Sequence, residues 1–258
     1  MHYRALLFLP LACVFAGSLS AADPFVGKWM FNQSQSKMTG TREVIEDLGD
    51  NKYKFSYGTD SWMLVLDGSD QPSKWGGTRS MKATGENAWV STSKMNGQLL
   101  SKAEITLSAD GKTKTHHWES TLADGTKTAG VFEQKRASGT KGLAGTWEST
   151  ENKSNSSYEF DIEPYGGDGL SFIVPAEKDR QDMKFDGKYY PDTGPHASPG
   201  ATSAAKRVDE RTIEWTDKLK DEVTGHQQIT VSADGKTLTM VAHFPGEKVS
   251  QTYVYDRQ

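Results

Sequence analysis

Histidine is the residue type in this sequence that most readily suggests catalysis or metal binding. His116 and His117 are adjacent, and adjacent side chains of a β-strand point to opposite faces, so the two imidazoles cannot bind one metal ion. His116 is expected to point inward with Trp118, at the position that Met240 occupies in a second, similar segment. An inward imidazole beside an indole is the best single candidate for a catalytic or ligand-binding polar group. A core histidine bonded to a backbone or hydroxyl group is the alternative interpretation.

The other polar residues form no recognisable catalytic or metal-binding motif. The sequence has no Gly-rich phosphate loop, nucleophile elbow or Cys/His metal spacing, so no catalytic residue, metal ion or cofactor is predicted. Most of the aromatic residues are expected to pack in the core, and a few that line a hollow would form an apolar cavity with few polar groups, which is typical of a small-molecule site. The predicted ligand-binding residues are His116, Trp118, Phe132, Phe160, Phe185, Trp215, Met240, Tyr253 and Tyr255.

These residues belong to a chain that repeats itself. The hexapeptide Ser108–Thr113 recurs letter for letter as Ser232–Thr237. The Gly-x-Trp motif that ends at Trp29 corresponds to one that ends at Trp147, and the two halves match in order with a short insertion beside Asp192–Gly200. Matches that keep their order and spacing indicate one module written twice.

Each copy has the pattern of consecutive β-strands. Apolar and polar side chains alternate, as at Tyr158, Phe160 and Ile162. Asp-Gly and Asn-Gly pairs separate these runs, and such pairs favour tight hairpin turns between antiparallel strands. Closure into a barrel removes the exposed edges of such a meander. We therefore predict an all-β protein of two tandem antiparallel up-and-down β-barrels, each of about eight or nine strands, with a two-sheet sandwich per copy as the alternative.

The chain is expected to divide into four segments. Residues 1–22 combine a basic start, a short apolar stretch and a small-residue cleavage site, which predicts a signal peptide and export to the periplasm or the medium. Residues 23–136 are the predicted first barrel, 137–142 a linker of small and polar residues, and 143–258 the second barrel. Cys13 is the only cysteine, so the mature chain has no disulfide, and the residues around it do not favour a lipid anchor.

The composition excludes some classes of partner. The chain has 30 Lys and Arg residues against 34 Asp and Glu, a formal net charge of −4, and no basic block. This balance argues against nucleic-acid binding, which needs a clustered basic face. No long apolar run follows the predicted signal peptide, so no transmembrane segment is expected in the mature chain.

Three features together resemble the calycins, the group of the lipocalins and the intracellular fatty-acid-binding proteins. They are the Gly-x-Trp motifs at Trp29 and Trp147, the hairpin meander between them, and the closing Val254–Arg257. The sequence is still more similar to lipocalin-like modules of exported bacterial proteins, which share an Asp-Gly-Lys-x-Tyr-Pro stretch like Asp186–Pro191. The resemblance covers both copies and implies a lipocalin-like barrel for each.

The resemblance also implies roles for particular residues. In calycins the Trp of the opening motif closes one end of the barrel, and a basic residue of the last strand lies across it. Carried over, Trp147 pairs with Arg257, and Trp29 pairs with Lys135 or Arg136. A cation stacked on an indole contributes roughly 0.5–2 kcal/mol. These residues are expected to be structural plugs and not ligand contacts.

The sequence departs from the fatty-acid-binding proteins at the ligand carboxylate. Those proteins hold the carboxylate with an Arg two residues before the Tyr of the last strand. Here Tyr253 precedes Tyr255, and Gly130 precedes Phe132, so neither copy has a cation at that position. A neutral or aromatic ligand therefore suits this chain better than a fatty acid.

These observations favour an exported protein that binds a small hydrophobic or aromatic molecule inside a β-barrel. A non-enzymatic interaction module of the cell envelope, which presents exposed loops such as Asp192–Gly200, is the alternative hypothesis. An enzyme that works through His116 is the third and the least favoured. The barrel fold is common to all three hypotheses, so the choice depends on whether a barrel is hollow.

Overall fold

The computed structural model describes residues 23–156 and 158–258, so the predicted signal peptide and Cys13 lie outside the described residues. The described chain consists of β-strands and one turn of 3-10 helix at Pro175–Glu177, which confirms the all-β prediction. No helix in this part of the chain has the length and apolar character that crossing a membrane requires.

The first ten strands are β1 (Gly27–Phe31), β2 (Arg42–Asp47), β3 (Lys52–Tyr57), β4 (Asp60–Val65), β5 (Gln71–Pro72), β6 (Thr78–Gly85), β7 (Ala88–Met95), β8 (Gln98–Leu107), β9 (Thr113–Thr121) and β10 (Lys127–Ser138). The remaining strands are β11 (Gly145–Ser154), β12 (Glu159–Tyr165), β13 (Gly169–Val174), β14 (Asp179–Met183), β15 (Tyr190–Pro191), β16 (Ala201–Asp209), β17 (Thr212–Leu219), β18 (Glu222–Val231), β19 (Thr237–His243) and β20 (Gln251–Arg257).

The strands form two antiparallel sheets of ten strands, each curled into a nearly closed barrel. Barrel 1 has the order β4-β3-β2-β11-β10-β9-β8-β7-β6-β5, and barrel 2 has the order β14-β13-β12-β1-β20-β19-β18-β17-β16-β15. A β-bridge between Arg180 and Thr193 joins the two edges of barrel 2. In barrel 1 the side-chain amide of Gln71 bonds the N–H and the C=O of Val65, both at 2.8 Å. The prediction of two antiparallel barrels is confirmed.

The repeated hexapeptide forms the same hairpin turn in both barrels. The Ser108 hydroxyl donates to the Asp110 carboxylate at 2.6 Å, and the same bond joins Ser232 to Asp234 at 2.6 Å. The glycine that follows has a φ of 68° at Gly111 and 71° at Gly235, a conformation that favours glycine. This local chemistry places β8 beside β9 and β18 beside β19, as the Asp-Gly pairs predicted.

The assignment of the opening strands to the barrels differs from the expected one. The first strand, β1, pairs with β12 and β20 in barrel 2, whereas β11 pairs with β2 and β10 in barrel 1. Barrel 1 is therefore the continuous segment 42–154, and barrel 2 combines 27–31 with 159–257. The expected segments 23–136 and 143–258 do not coincide with the sheets. The expected linker, 137–142, covers the end of β10 and part of the short connection 139–144 to β11, and this connection makes the two strands antiparallel neighbours.

The barrel plugs are exchanged in the same way. Trp29 and Trp147 are fully buried, as expected. The Arg257 guanidinium lies 4.2 Å from the centroid of Trp29, and that of Arg136 lies 4.1 Å from Trp147. The expected pairing of Trp147 with Arg257 is therefore wrong, because each tryptophan sits in the other barrel. Lys135 is exposed and plugs neither barrel, since neighbouring residues of a strand face opposite sides.

Candidate functional site

Inward-facing side chains of barrel 2 line a cavity of about 320 Å³ that is partly open to solvent. Its apolar wall includes Tyr158, Phe160, Phe172, Trp215, Met240 and Tyr255. Its polar wall includes Asp179, Gln181, Asp192, Ser203, Asp217 and Gln227. This size and composition are those of a site for a small organic molecule.

The aromatic side chains of the cavity hold one another in fixed orientations. The Phe172 and Trp215 rings meet edge to face with centroids 4.8 Å apart, and Phe160 and Tyr255 do the same at 4.8 Å. Burial, followed by the negative charges of Glu177 and Asp179, raises the pKa of Tyr158 to about 12. Burial also raises the pKa of Tyr255. Both phenols therefore stay neutral near pH 7, and the rings form a rigid wall without a charge of their own.

Asp217 places a carboxylate at the edge of this wall. It lies two residues from Trp215 in β17, so both side chains share a face of the strand. Its Oδ1 accepts hydrogen bonds from the Ser203 hydroxyl at 2.7 Å and from the Trp215 indole at 2.6 Å. Its Oδ2 accepts one from the Gln227 amide at 2.6 Å. All three donors are neutral, so they orient the carboxylate and leave its charge uncompensated.

Two further carboxyl groups approach the same cavity. Burial, and then the charges of Asp179 and Asp217, raises the pKa of Asp192 to about 6. Burial also raises the pKa of Asp179. The backbone N–H of Arg180, which donates to the Asp179 carboxylate at 2.9 Å, lowers the pKa and only partly offsets the effect of burial. Each raised pKa has the same cause: water is partly excluded, and neighbouring carboxylates repel one another.

Gln181 adds a neutral acceptor to the polar wall. Its side chain is only 7% exposed, and its amide nitrogen donates to the Tyr190 carbonyl at 2.9 Å. The carbonyl oxygen of the same side chain is buried without a hydrogen-bond partner. A buried acceptor without a partner costs roughly 1–3 kcal/mol, so a donor bound in the cavity would relieve that cost.

The predicted ligand-binding residues are divided between the two barrels. Phe160, Trp215, Met240 and Tyr255 line the cavity of barrel 2. Phe185 and Tyr253 pack against the core of that barrel and do not line the cavity, while His116, Trp118 and Phe132 belong to barrel 1. Trp118 lies over Gly130, where a Cβ atom would come within 2.5 Å of the indole, and it lines a surface groove and not an interior cavity.

Barrel 1 differs because charged and polar side chains occupy its interior. Lys114 and Glu43 form an ion pair with side chains only 1% and 7% exposed. The Lys114 ammonium lies 4.8 Å from the centroid of Trp147, so the plug covers the pair. The Gln134 amide, also fully buried, donates to the Tyr57 hydroxyl at 3.2 Å.

His116 lies in this polar interior and is not at a cavity. Burial, followed by the charge of Lys114, lowers the pKa of His116 to about 3, so the imidazole is neutral at physiological pH. Its ring meets Phe132 edge to face at 5.6 Å, and its Nε2 is buried without a hydrogen-bond partner. The inward orientation agrees with the sequence prediction, and the surroundings are those of a core residue.

A second concavity, of about 640 Å³, lies between the two barrels. Tyr57 and Trp75 line it from barrel 1 and Phe244 from barrel 2. Lys74 and Asp60 both line it, and the Lys74 ammonium lies 2.6 Å from the Asp60 carboxylate. Asp217 lines this concavity as well as the cavity of barrel 2, and Glu247, also in its wall, forms no ion pair among the described residues.

The polar wall of barrel 2 was missed in the sequence because its members are far apart in the chain. Asp179, Asp192 and Asp217 come from β14, the segment after β15, and β17. The one local signal is Trp215-x-Asp217, which places an acid on the same face as a predicted ligand contact. The described residues contain no group of three or more His, Cys, Asp or Glu side chains placed to hold a metal ion.

Comparisons of the chain with models of known protein families, with curated protein sequences and with solved structures found no match.

Proposed function

We propose that this chain is an exported, lipocalin-like binding protein that holds a small hydrophobic or aromatic molecule inside barrel 2. The observation that carries the proposal is the cavity of about 320 Å³ walled by rigid aromatic rings. Export rests on the signal-peptide pattern of residues 1–22, and the lipocalin-like assignment rests on the Gly-x-Trp motifs and the strand meander.

The difference between the two interiors supports one ligand site per chain. Barrel 1 holds the buried Lys114–Glu43 pair and the buried Gln134 in its interior, whereas the interior of barrel 2 is lined largely by aromatic and apolar side chains around a cavity. An enzyme that works through His116 has little support, because the imidazole is neutral at physiological pH and does not line the cavity. The loop Asp192–Gly200, which suggested an interaction module, contributes Asp192 to the cavity wall.

A neutral fluorescent probe, N-phenyl-1-naphthylamine, tests the proposal. Its emission increases in an apolar site, so titration with the mature protein should give saturable binding with one site per chain. Met240→Trp fills the cavity with a larger side chain and should weaken binding about tenfold or more. Met63→Trp is the matched control, since Met63 is 56% exposed on barrel 1. Absence of saturable binding, or equal binding by both variants, would contradict the proposal.

A further inference from the structure

The cavity of barrel 2 carries negative charge that the protein itself does not neutralise. Asp179, Asp192 and Asp217 all line it. Among the described residues, no Lys or Arg forms an ion pair with any of the three. His196 is the nearby base that acts on Asp179, and its Nδ1 lies 2.9 Å from the Glu177 carboxylate. The negative side of the cavity therefore has no cation of its own.

Uncompensated carboxylates in a partly buried site are costly unless a positive charge joins them. Asp217 receives three hydrogen bonds, but these come from neutral groups and hold the carboxylate towards the cavity. The wall beside it consists of the faces and edges of Trp215 and Phe172. Carboxylates next to aromatic rings attract an organic cation both by charge and by the cation–π interaction.

A buried acceptor in the same cavity points independently to a donor on the ligand. Gln181 lines the cavity and is 7% exposed, and its side-chain oxygen is buried without a hydrogen-bond partner. A protonated primary amine has three N–H donors and no acceptor. Such a group can donate to carboxylate and amide oxygens of the polar wall, which a neutral hydrocarbon cannot do.

The spacing of the acids favours a large cation over a bare metal ion. The three carboxylates are not grouped closely enough to form a metal-binding set within the described part of the chain. They line a cavity of about 320 Å³ from β14, the segment after β15, and β17, whereas the rings of Phe160 and Tyr255 line it from β12 and β20. A ligand with an ammonium group at one end and an aromatic ring at the other fits both sides of such a cavity.

We propose that barrel 2 selects an aromatic molecule that carries a protonated amine, with Asp192 and Asp217 facing the ammonium group. This inference rests on the proposed function and specifies the chemical class of its ligand. It also excludes aromatic acids, because their carboxylates would meet the three acidic side chains without a cation between them.

Three compounds of similar size and shape test the inference on the unmodified mature protein. They are 2-phenylethylamine, 2-phenylethanol and 3-phenylpropionate, compared by isothermal titration calorimetry at pH 7.5 and by displacement of N-phenyl-1-naphthylamine. We expect the amine to bind at least about tenfold more tightly than the alcohol, and the acid to bind more weakly than either. Because the test compares ligands on one protein, it does not depend on whether any variant folds.

Asp192→Asn then identifies the charge that is responsible. It should lower the ratio of the affinity for the amine to the affinity for the alcohol about tenfold. Asp168→Asn, in the exposed hairpin between β12 and β13, removes the same charge away from the cavity and should change neither. Equal affinities for amine and alcohol, with the neutral probe still bound, would overturn the inference and leave the proposed function intact. If neither the probe nor any of the three compounds bound, both proposals would fail.

Discussion

The buried ion pair of barrel 1 allows a quantitative test of why the two interiors differ. Glu43 in barrel 1 corresponds to Phe160 in barrel 2, because each lies opposite the plug tryptophan on the neighbouring strand. Lys114 corresponds to Leu238, because each directly follows a copy of the repeated hexapeptide. Barrel 2 therefore has an apolar pair where barrel 1 has a charged one. Lys114→Leu removes one partner and leaves the other carboxylate buried without a cation.

The structure sets the expected size of the effect. Because the two side chains are 1% and 7% exposed, water cannot replace the lost partner. Breaking such a pair lowers the free energy of unfolding by about 3–5 kcal/mol. For a folding unit of the size of barrel 1, this lowers Tm by roughly 10–20 °C. The double variant Lys114→Leu/Glu43→Phe copies the apolar pair of barrel 2 and should recover to within about 1.5 kcal/mol of the original stability.

Differential scanning calorimetry and urea unfolding monitored by tryptophan fluorescence measure these changes. Lys54→Leu is the control, since it breaks the exposed pair with Glu46 at 3.1 Å and should cost less than about 1 kcal/mol. If Lys114→Leu lowers the free energy of unfolding no more than this control does, the buried pair has no special importance for stability. If the double variant is as unstable as Lys114→Leu alone, the loss of stability does not come from the unpaired charge of Glu43.

Asp192, Arg257 and the continuous segment of barrel 1 each allow a further test. Asp192 has a pKa of about 6 in the folded chain against an ordinary 3.8, so its stabilising contribution is present below pH 4 and is lost as pH rises through 6. Between pH 4 and 7 the Asp192→Asn variant should therefore lose about 1 kcal/mol less free energy of unfolding than the original protein, once solvent screening is allowed for. Parallel stability–pH curves for the two proteins would contradict this. Arg257→Ala removes three hydrogen bonds to backbone carbonyls and should lower the free energy of unfolding by about 3 kcal/mol in urea, whereas Lys135→Ala should lower it little. Similar losses for the two variants would contradict the assigned role of these hydrogen bonds. The fragment 38–156 contains all of barrel 1 and should fold alone with Trp147 buried, and a random-coil circular dichroism spectrum would disprove its independence.

The alternation of side chains in the sequence was sufficient to predict the strands and the barrels. Period two decides which side chains face inward, so Phe160, Met240 and Tyr255 could be predicted as cavity residues before any pairing was known. The buried position of His116 followed from the same rule. The tight turns followed from the Asp-Gly pairs, because their geometry depends on neighbouring residues alone.

The tertiary structure alone decided which opening strand enters which barrel. The strands with Trp29 and Trp147 carry the same motif and suit the same position, so local preference cannot choose between the barrels. The short connection after β10 keeps β11 beside it in barrel 1, and β1 then completes barrel 2. The acidic wall of the cavity was likewise invisible in the sequence. Its carboxylates lie far apart in the chain, and only barrel closure brings them together with the rings of barrel 2.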